Sequence, residues 1–266
     1  MDRYIASNRE LWDHWTDIHE RSEFYDLEGF KAGRSSLNPI EREELGDVSG
    51  KSLLHLQCHF GLDTLSWARL GASVTGGDLS DRAIELARSL SQELGIDARF
   101  VRSELYSLPD LLDGQFDIVY TSYGVLYWLP DIRRWGEVAA HFLKPGGTFY
   151  IVEYHPFANV FENEGTDDLR VAYPYFQGPK PLTFETHGSY ADPNADYHFV
   201  EYGWNHPLGA VVTSLSDAGL RIQHLHEFPY TFEQRFPFME QDADGKWWIK
   251  GRETALPLLF SLKATR

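Results

Sequence analysis

The sequence contains one cysteine, few basic residues and no long apolar run. Cys58 stands alone, which excludes a disulfide within the chain. No apolar run approaches the length of a membrane span, and the charged start MDRYIASNRE lacks the apolar segment of a signal peptide. We therefore expect a soluble cytoplasmic protein with no membrane partner.

Basic residues are outnumbered by acidic ones. The chain has 24 lysines and arginines against 40 aspartates and glutamates, which gives a formal net charge of -16. A charge of this sign repels phosphate backbones, so we expect no nucleic-acid partner. Aromatic residues make up 15% of the chain, a high fraction that favours a flat or apolar ligand.

From residue 52 the sequence alternates between short apolar runs and amphipathic segments. The pattern predicts strands at 53–57, 72–77, 98–101, 115–122 and 148–154, and helices at 63–70, 81–94 and 131–143. After residue 205 it predicts a helix at 206–218, strands at 221–228 and 256–264, and a loop over 237–248. Strands joined by helices of this length imply right-handed crossovers. We therefore expect an α/β fold with a doubly wound, mostly parallel, Rossmann-like sheet.

Two segments lie outside this alternation. The first begins with a predicted capping box, Ser7 and Glu10 in SNRE, and continues with an apolar stripe at helical spacing (Leu11, Trp12, Trp15 and Ile18). This N-terminal helix either packs on the domain by its stripe or forms a lid over a ligand. The second segment, 154–204, holds twelve aromatic residues, so we expect an ordered cap inserted after the fifth strand.

The turn after the first strand lacks the glycines of a phosphate-binding loop. In LLHLQCHFGLDTLSWA, Gln57 and His59 stand where a dinucleotide fingerprint has its first two glycines, and only Gly61 remains. Asp78 ends the second strand and suits either the two hydroxyls of a ribose or the cap of the next helix. Glu104 ends the third strand and suits either an adenine amino group or solvent. These features indicate a ligand with a nucleoside and no pyrophosphate, such as S-adenosylmethionine.

Five motifs in order carry a resemblance to a known family. LLHLQCHFG, GGDLS, SELYSLP, FDIVYTSYGVLYWL and LKPGGTFYIVE resemble the successive motifs of class I S-adenosylmethionine-dependent methyltransferases. A narrower group of bacterial small-molecule methyltransferases is similar across nearly the whole chain, including the HLQCHFG variant and the ending PLLFSLKA. The resemblance implies a seven-stranded sheet whose last strand is antiparallel. Together with the two segments outside the alternation, we therefore expect four parts: a lid segment (1–50), a cofactor-binding core (51–153), a substrate cap (154–204) and the rest of the core (205–266).

The resemblance also assigns residues to the cofactor. It places the loop Gln57, Cys58, His59 and Gly61 under the methionine part and Tyr123 near the sulfonium. It places Asp78 on the ribose. Leu79 lies beside the adenine, and Glu104 and Leu105 lie on either side of that base. His55 stands where an acidic residue is common in the family. A different backbone path, or a contact from Trp15, Tyr25 or Arg34, would compensate for this and for the missing glycines.

The chemistry of methyl transfer points to a second set of residues. A sulfonium methyl is already activated, so a general base is needed only when the acceptor must lose a proton. His155 is our candidate base, with a hydrogen-bonding loop histidine as the alternative, and Glu153 points either into the core or toward the substrate. We expect a small aromatic or apolar acceptor, methylated at O, N or C, to contact six residues (Trp15, Tyr25, Tyr127, Tyr154, His155 and Trp204).

Two other functions stay open. The first is a nicotinamide-dependent oxidoreductase, which the missing glycines and the absence of a Tyr-x-x-x-Lys pair disfavour. The second is a protein that binds S-adenosylmethionine without catalysis. His224 and His226 share one face of a strand and would suit a metal, but ordinary histidines are favoured and we expect no metal. The oligomeric state stays open as well.

Overall fold

Seven strands form one mixed sheet in the computed structural model, which describes residues 3–163 and 165–266. Four short strands form two separate hairpins. The eleven strands in chain order are β1 (Ser52–Leu56), β2 (Ser73–Asp78), β3 (Ala98–Arg102), β4 (Phe116–Ser122), β5 (Leu143–Tyr154), β6 (Leu182–His187), β7 (His198–Gly203), β8 (Arg221–Phe228), β9 (Met239–Gln241), β10 (Trp247–Ile249) and β11 (Leu259–Thr265).

The order of strands across the large sheet is β3-β2-β1-β4-β5-β11-β8. The strands β1 to β5 pair in parallel, whereas β11 lies antiparallel to both of its neighbours, β5 and β8. The predicted seven-stranded, mostly parallel sheet with an antiparallel last strand is therefore confirmed. The central strands are buried on both faces, which explains why they appear in the sequence as continuous apolar runs.

Helices cover both faces of the sheet, as a doubly wound fold requires. The helices α6 and α7 pack with Leu54 of β1 on one face, and α3 and Trp67 of α4 pack with Leu53 on the other. None of the helices in the described ranges is long and apolar enough to cross a membrane. The helices in chain order are α1 (Arg3–His19), α2 (Leu27–Lys31), α3 (Pro39–Leu45), α4 (Leu62–Arg69), α5 (Asp81–Leu94), α6 (Ile132–His141) and α7 (Leu208–Asp217).

Three details differ from the sequence-based prediction. Ser7 and Glu10 lie inside α1, so they do not form a capping box at its start. The segment 237–248, predicted as a loop, carries the hairpin of β9 and β10. The strand β5 begins at Leu143, five residues before the predicted start. The segment KPGG, which was predicted only to end the preceding helix, is part of this strand.

The helix α1 joins the inserted segment to the core. Asn8 pairs with the backbone of Tyr202 in β7, donating to its carbonyl at 2.7 Å and accepting from its N–H at 3.0 Å. On the other side, Asp13 accepts hydrogen bonds from the Ser80 hydroxyl at 2.6 Å and from the Arg82 backbone N–H at 3.1 Å. This carboxylate lies at the N-terminus of α5, where the helix dipole favours negative charge. The helix α1 is thus fixed to β7 on one side and to α5 on the other.

A buried carboxylate shapes the turn that follows β4. Glu153 is 3% exposed and accepts from the N–H groups of Val125 at 2.8 Å, Leu126 at 3.0 Å and Tyr154 at 2.7 Å, and also from that of Gly124. Of the two orientations that the sequence leaves open, the structure shows the one that faces the core. Four backbone donors that would otherwise be buried without a partner are satisfied by this one side chain.

The side chain of Tyr123, in the same turn, reaches α3, which packs on the face of the sheet that carries Leu53. Its hydroxyl donates to a carboxylate oxygen of Glu41 at 2.9 Å, and the Asn38 N–H donates to the other oxygen at 2.6 Å. Glu41 is fully buried, and burial raises its pKa to about 8, with the nearby carboxylate of Asp63 adding to the shift. The sequence analysis missed Glu41, whose only local signal is a capping box that begins at Asn38.

We expect Glu153→Gln to destabilise the fold. An amide offers one acceptor oxygen, and its NH2 group opposes the N–H donors of the turn, so the free energy of unfolding should fall by about 2 to 3 kcal/mol. Chemical denaturation measures this change. Glu240→Gln, at an exposed carboxylate, is the control and should change stability little. Equal stabilities of the two variants would contradict this role of Glu153.

Glu41→Gln should stabilise the protein at alkaline pH. Because the pKa of Glu41 is raised in the folded state, its contribution to stability is lost as the pH rises from about 4.5 toward 8. The glutamine variant has no such loss, so its advantage in unfolding free energy should grow by up to about 1.4 kcal/mol per pH unit over that window. Denaturant titrations at pH 5, 6.5 and 8 measure it. A constant difference across these pH values would contradict the assignment.

Candidate functional site

The loop between β1 and α4 has the backbone of a glycine-rich turn although it lacks two of the glycines. Gln57, His59 and Gly61 have positive φ angles of 56°, 50° and 83°. This left-handed region costs a residue with a side chain roughly 1 to 2 kcal/mol. Such strain persists where the surroundings hold it in place, and it clusters at functional sites.

Asp78 lies at the end of β2 and binds this loop. One carboxylate oxygen accepts from the His59 backbone N–H at 2.7 Å, and the other accepts from the Ser80 N–H at 2.9 Å. The cap of α5 is Ser80, whose hydroxyl accepts from the Ala83 N–H, so Asp78 is not needed in that role. Burial raises the pKa of Asp78 to about 6, so the carboxylate is ionised at neutral pH and keeps lone pairs for a ligand.

Three polar atoms around the loop are buried and have no hydrogen-bond partner in the described part of the chain. They are Oε1 of Gln57, Nδ1 of His59 and Nε2 of His19. The other ends of these side chains are bonded, since Gln57 donates to the Val125 carbonyl at 3.0 Å and the two imidazoles share a hydrogen bond of 2.9 Å. Because unsatisfied buried polar atoms are costly, their grouping beside Asp78 indicates a place for a polar ligand.

The three imidazoles in and beside this loop are neutral at physiological pH. Burial lowers the pKa of His19 to about 3, and burial together with His19 lowers the pKa of His59 well below its usual value. His55, which stands where an acidic residue is common in the family that the sequence resembles, is also buried, which lowers its pKa to about 3. Its Nδ1 lies 2.8 Å from the Thr64 hydroxyl, so it links β1 to α4 instead of facing the loop.

The remaining residues assigned to the cofactor lie at the ends of the neighbouring strands. Glu104 follows β3, and its carboxylate accepts from the Tyr106 N–H at 3.2 Å and from the Ser107 hydroxyl at 2.8 Å. Leu105 is buried in the core, whereas Leu79 is half-buried beside Asp78. The strand ends are thus brought to one edge of the sheet, while the assignment of these side chains to an adenine stays a prediction.

An aromatic cover lies over the loop. The Trp12 ring is 5.1 Å from the His59 ring and 5.2 Å from the Trp128 ring, between centroids. Trp15 packs edge-on against Tyr190 of the inserted segment at 5.5 Å, and its indole N–H donates to the Gly188 carbonyl at 2.8 Å. We call this set of five side chains the aromatic cover (Trp12, Trp15, His19, Trp128 and Tyr190).

Four side chains from four distant segments form a second group, which we call the phenol–carboxylate cluster (Tyr25, Tyr154, Tyr190 and Glu233). The hydroxyls of Tyr25 and Tyr190 share a hydrogen bond, and Tyr154 and Glu233 lie close enough together for each to shift the pKa of the other. Burial raises the pKa of Glu233, and the charge of Glu233 helps to raise the pKa of all three phenols. The sequence analysis missed Tyr190 as a site residue and missed Glu233 altogether.

His155, the predicted base, has one ring nitrogen hydrogen-bonded and the other close to a carboxylate. Nδ1 accepts from the Phe157 N–H at 3.1 Å, and Nε2 lies 2.8 Å from a carboxylate oxygen of Glu227. The side chain is buried beside Phe260. Burial lowers the pKa of His155, and the charge of Glu227 opposes that shift. This arrangement matches the alternative of a hydrogen-bonding loop histidine.

The structure places the other predicted contacts at the edges of these groups. The Tyr127 hydroxyl donates to Glu201 of β7 at 3.0 Å, and the Trp204 backbone N–H donates to the Tyr127 carbonyl at 2.8 Å. The Trp204 ring is buried and packs edge-on against Tyr4 of α1. Arg34 donates to the Tyr25 carbonyl at 2.9 Å and therefore braces the turn that carries that phenol.

Comparison with known proteins gives one family match and a set of relatives. Residues 54–151 match the family model described as a methyltransferase domain. Ubiquinone biosynthesis O-methyltransferases are about 31% identical, that of Erwinia tasmaniensis over 133 residues and that of Shewanella pealeana over 143. The alignments cover 48% and 54% of this chain and 54% and 58% of those proteins. The chain thus spans little more than half the length of the curated relatives it matches.

Solved structures extend the likeness to most of the chain. An S-adenosylmethionine-dependent methyltransferase from Mesorhizobium loti superposes with a TM-score of 0.63 at 23% identity, covering 89% of this chain and all of that one. The glycopeptide N-methyltransferase MtfA, solved with S-adenosylmethionine, gives 0.56 at 18% identity, covering 85% and 91%. The strand order, the matched domain over residues 54–151 and these superpositions show that the chain has the fold of class I S-adenosylmethionine-dependent methyltransferases.

Proposed function

We propose that this chain is an S-adenosylmethionine-dependent methyltransferase that acts on a small hydroxylated aromatic molecule. One observation carries the proposal for the cofactor. The ionised Asp78 lies beside a left-handed loop whose Gln57 and His59 each present a buried polar atom without a partner in the described chain. A nucleoside with an amino-acid tail has the hydroxyls and the charged amine that such atoms bind.

Individual residues have distinct roles in this proposal. Asp78 accepts the ribose hydroxyls, and the Gln57 carbonyl oxygen accepts from the amine of the methionine part. Glu104, with Leu79 and Leu105, borders the adenine. When bound, S-adenosylmethionine supplies a methyl group that is already activated by its sulfonium. The protein itself aligns the acceptor and keeps water away, which are the main requirements of such a transfer.

The aromatic cover is the part that excludes water. Trp12, Trp15 and His19 come from α1 and Tyr190 comes from the inserted segment, so both segments act together. The sequence left two roles open for the N-terminal helix, packing on the domain and covering a ligand. In this proposal α1 has both roles. We therefore assign residues 1–50 and 154–204 to the cover and the acceptor site, and residues 51–153 to the cofactor.

The phenol–carboxylate cluster supports the choice of acceptor. Its phenols offer both donors and acceptors to a hydroxylated ring, and the Arg235 guanidinium stacks over the Tyr154 ring at 4.4 Å. The curated relatives are named O-methyltransferases, which agrees with methylation of an oxygen. Glu233 then takes the proton that the acceptor hydroxyl loses. A carboxylate whose pKa is raised by burial suits this role better than His155, whose Nδ1 already accepts a backbone N–H and whose Nε2 faces the Glu227 carboxylate.

The two alternatives fit this site less well. A nicotinamide dinucleotide needs backbone N–H groups that approach a pyrophosphate, whereas the His59 N–H of this loop already donates to Asp78. A binding protein without catalysis would have no need of the Glu233 carboxylate beside three phenols. The experiments below separate these possibilities.

The first prediction concerns Asp78. Asp78→Asn removes the charge that accepts the ribose hydroxyls, so S-adenosylhomocysteine should bind about 1.5 to 3 kcal/mol more weakly. For the unmodified protein, affinity should also fall by up to about tenfold per pH unit below pH 6, because Asp78 becomes protonated there. Isothermal titration calorimetry measures both effects.

Asp13→Asn is the matched control, since it changes a neighbouring carboxylate that binds α5. It should alter affinity less than Asp78→Asn does. Unchanged binding by a folded Asp78→Asn variant would remove this residue from the site. A competition assay compares the affinities for NAD and S-adenosylhomocysteine. Tighter binding of NAD would favour a nicotinamide-dependent oxidoreductase.

The second prediction concerns Glu233. Glu233→Gln should lower methyl transfer from labelled S-adenosylmethionine to a panel of catechols and hydroxybenzoates by about 100-fold or more, which is typical for loss of a general base. In the unmodified protein kcat should fall as the pH drops through the raised pKa of Glu233. Binding of S-adenosylhomocysteine should not change.

His155→Gln is the comparison variant, because it tests the sequence-based choice of base. A loss of transfer in His155→Gln with normal transfer in Glu233→Gln would reverse the assignment. Absence of transfer to any small molecule, together with intact S-adenosylhomocysteine binding, would favour the binding protein without catalysis.

A further inference from the structure

The last two strands of the sheet carry a second group of polar side chains, outside the site described above. Glu44, near the end of α3, faces His224 and His226 of the edge strand β8. One ligand atom from each residue lies within 4.8 Å of the other two. Within residues 3–163 and 165–266, this is the one such group of three.

The geometry of the group is close to that of a metal centre. Nε2 of His224 is 3.5 Å from one Glu44 carboxylate oxygen, and Nδ1 of His226 is 2.7 Å from the other. The two rings are nearly parallel with centroids 4.2 Å apart, because alternate residues of a strand share a face. Ligands around a tetrahedral zinc ion lie about 3.3 Å apart. Of the two nitrogen–oxygen separations, 3.5 Å fits already and 2.7 Å needs to widen by less than an ångström, while the two nitrogens lie within 4.8 Å of each other.

The donor chemistry selects the kind of cation. Two imidazole nitrogens and one carboxylate oxygen suit zinc and its neighbours in the first transition row, whereas magnesium and calcium prefer oxygen ligands. Three protein ligands leave one position for water. Nε2 of His224 is buried and has no hydrogen-bond partner in the described chain, so no other group competes for it in the tautomer that places its lone pair there.

The surroundings hold the carboxylate in place. The Tyr150 hydroxyl of β5 donates to a Glu44 carboxylate oxygen at 2.8 Å, and the Lys263 ammonium of β11 donates to the Glu44 backbone carbonyl at 2.7 Å. Glu44 therefore contacts β5, β11 and β8 at once. Partners of this kind orient a ligand and strengthen metal binding.

We propose that Glu44, His224 and His226 bind a divalent zinc-like cation that fastens α3 to the edge of the sheet. The sequence analysis placed the two histidines on one strand face but expected no metal, because the third ligand lies about 180 positions away in α3. Since α3 also carries Glu41, which holds Tyr123, a bound cation would stiffen the link between α3 and the turn after β4. This proposal does not depend on the methyltransferase assignment.

Cobalt(II) titration of the full chain, stripped of metal by a chelator, tests the proposal. We expect visible absorption bands of a four-coordinate Co2+ ion that saturate at one ion per chain and disappear when Zn2+ is added. Thermal unfolding should shift to higher temperature with Zn2+, since a cation that binds only the folded state stabilises it. His226→Gln, at a half-exposed position, and His224→Gln should each weaken binding by at least about tenfold, or about 1.4 kcal/mol.

The matched control is His187→Gln. His187 and His198 also bring two imidazoles together, with centroids 3.7 Å apart, but they belong to no such group with a carboxylate. This variant should bind Co2+ as the unmodified protein does. The proposal is overturned if no such bands and no thermal shift are seen. It is equally overturned if binding persists in both β8 variants, or if His187→Gln abolishes it.

Discussion

The hydrogen bond from the His59 backbone N–H to the Asp78 carboxylate joins the ends of β1 and β2, and the arrangement of the candidate site depends on it. The His59 N–H of this left-handed loop is satisfied by the carboxylate. The same carboxylate is held at the edge of the sheet with one oxygen toward the loop and the other toward the Ser80 N–H at the start of α5. The position of the charge and the geometry of the loop are therefore set by one interaction.

The side chains that replace glycine explain how this loop is held in its strained conformation. Gln57 reaches the Val125 carbonyl in the turn after β4, and His59 reaches His19 in α1. Glycines would adopt the same backbone at lower cost but would make neither link. Val125 is itself fixed by Glu153. The loop, the turn after β4 and the cover are thus connected into one unit, and movement of α1 has to involve the imidazole of His59.

The sequence predicted the parts of the molecule that are encoded locally. The strands and helices of the core followed from apolar periodicity, and the loop 57–61 with Asp78 followed from the order of the motifs. The phenol–carboxylate cluster did not, because it joins Tyr25 to Tyr190 and Tyr154 to Glu233 across long stretches of chain. The hairpin of β9 and β10 was missed because its strands are short and its turn is acidic, which is typical of a loop.

The cofactor and acceptor halves of the proposed site occupy separate parts of the chain. The loop 57–61, Asp78 and Glu104 all lie inside the matched domain, 54–151, whereas every member of the phenol–carboxylate cluster lies outside it. In this proposal the acceptor is selected by segments outside the matched domain, whereas the methyl donor is held by residues within it. Such a division lets an ancestral donor site be kept while new acceptors are acquired, and it makes these outer segments the ones to exchange when the chain is redesigned.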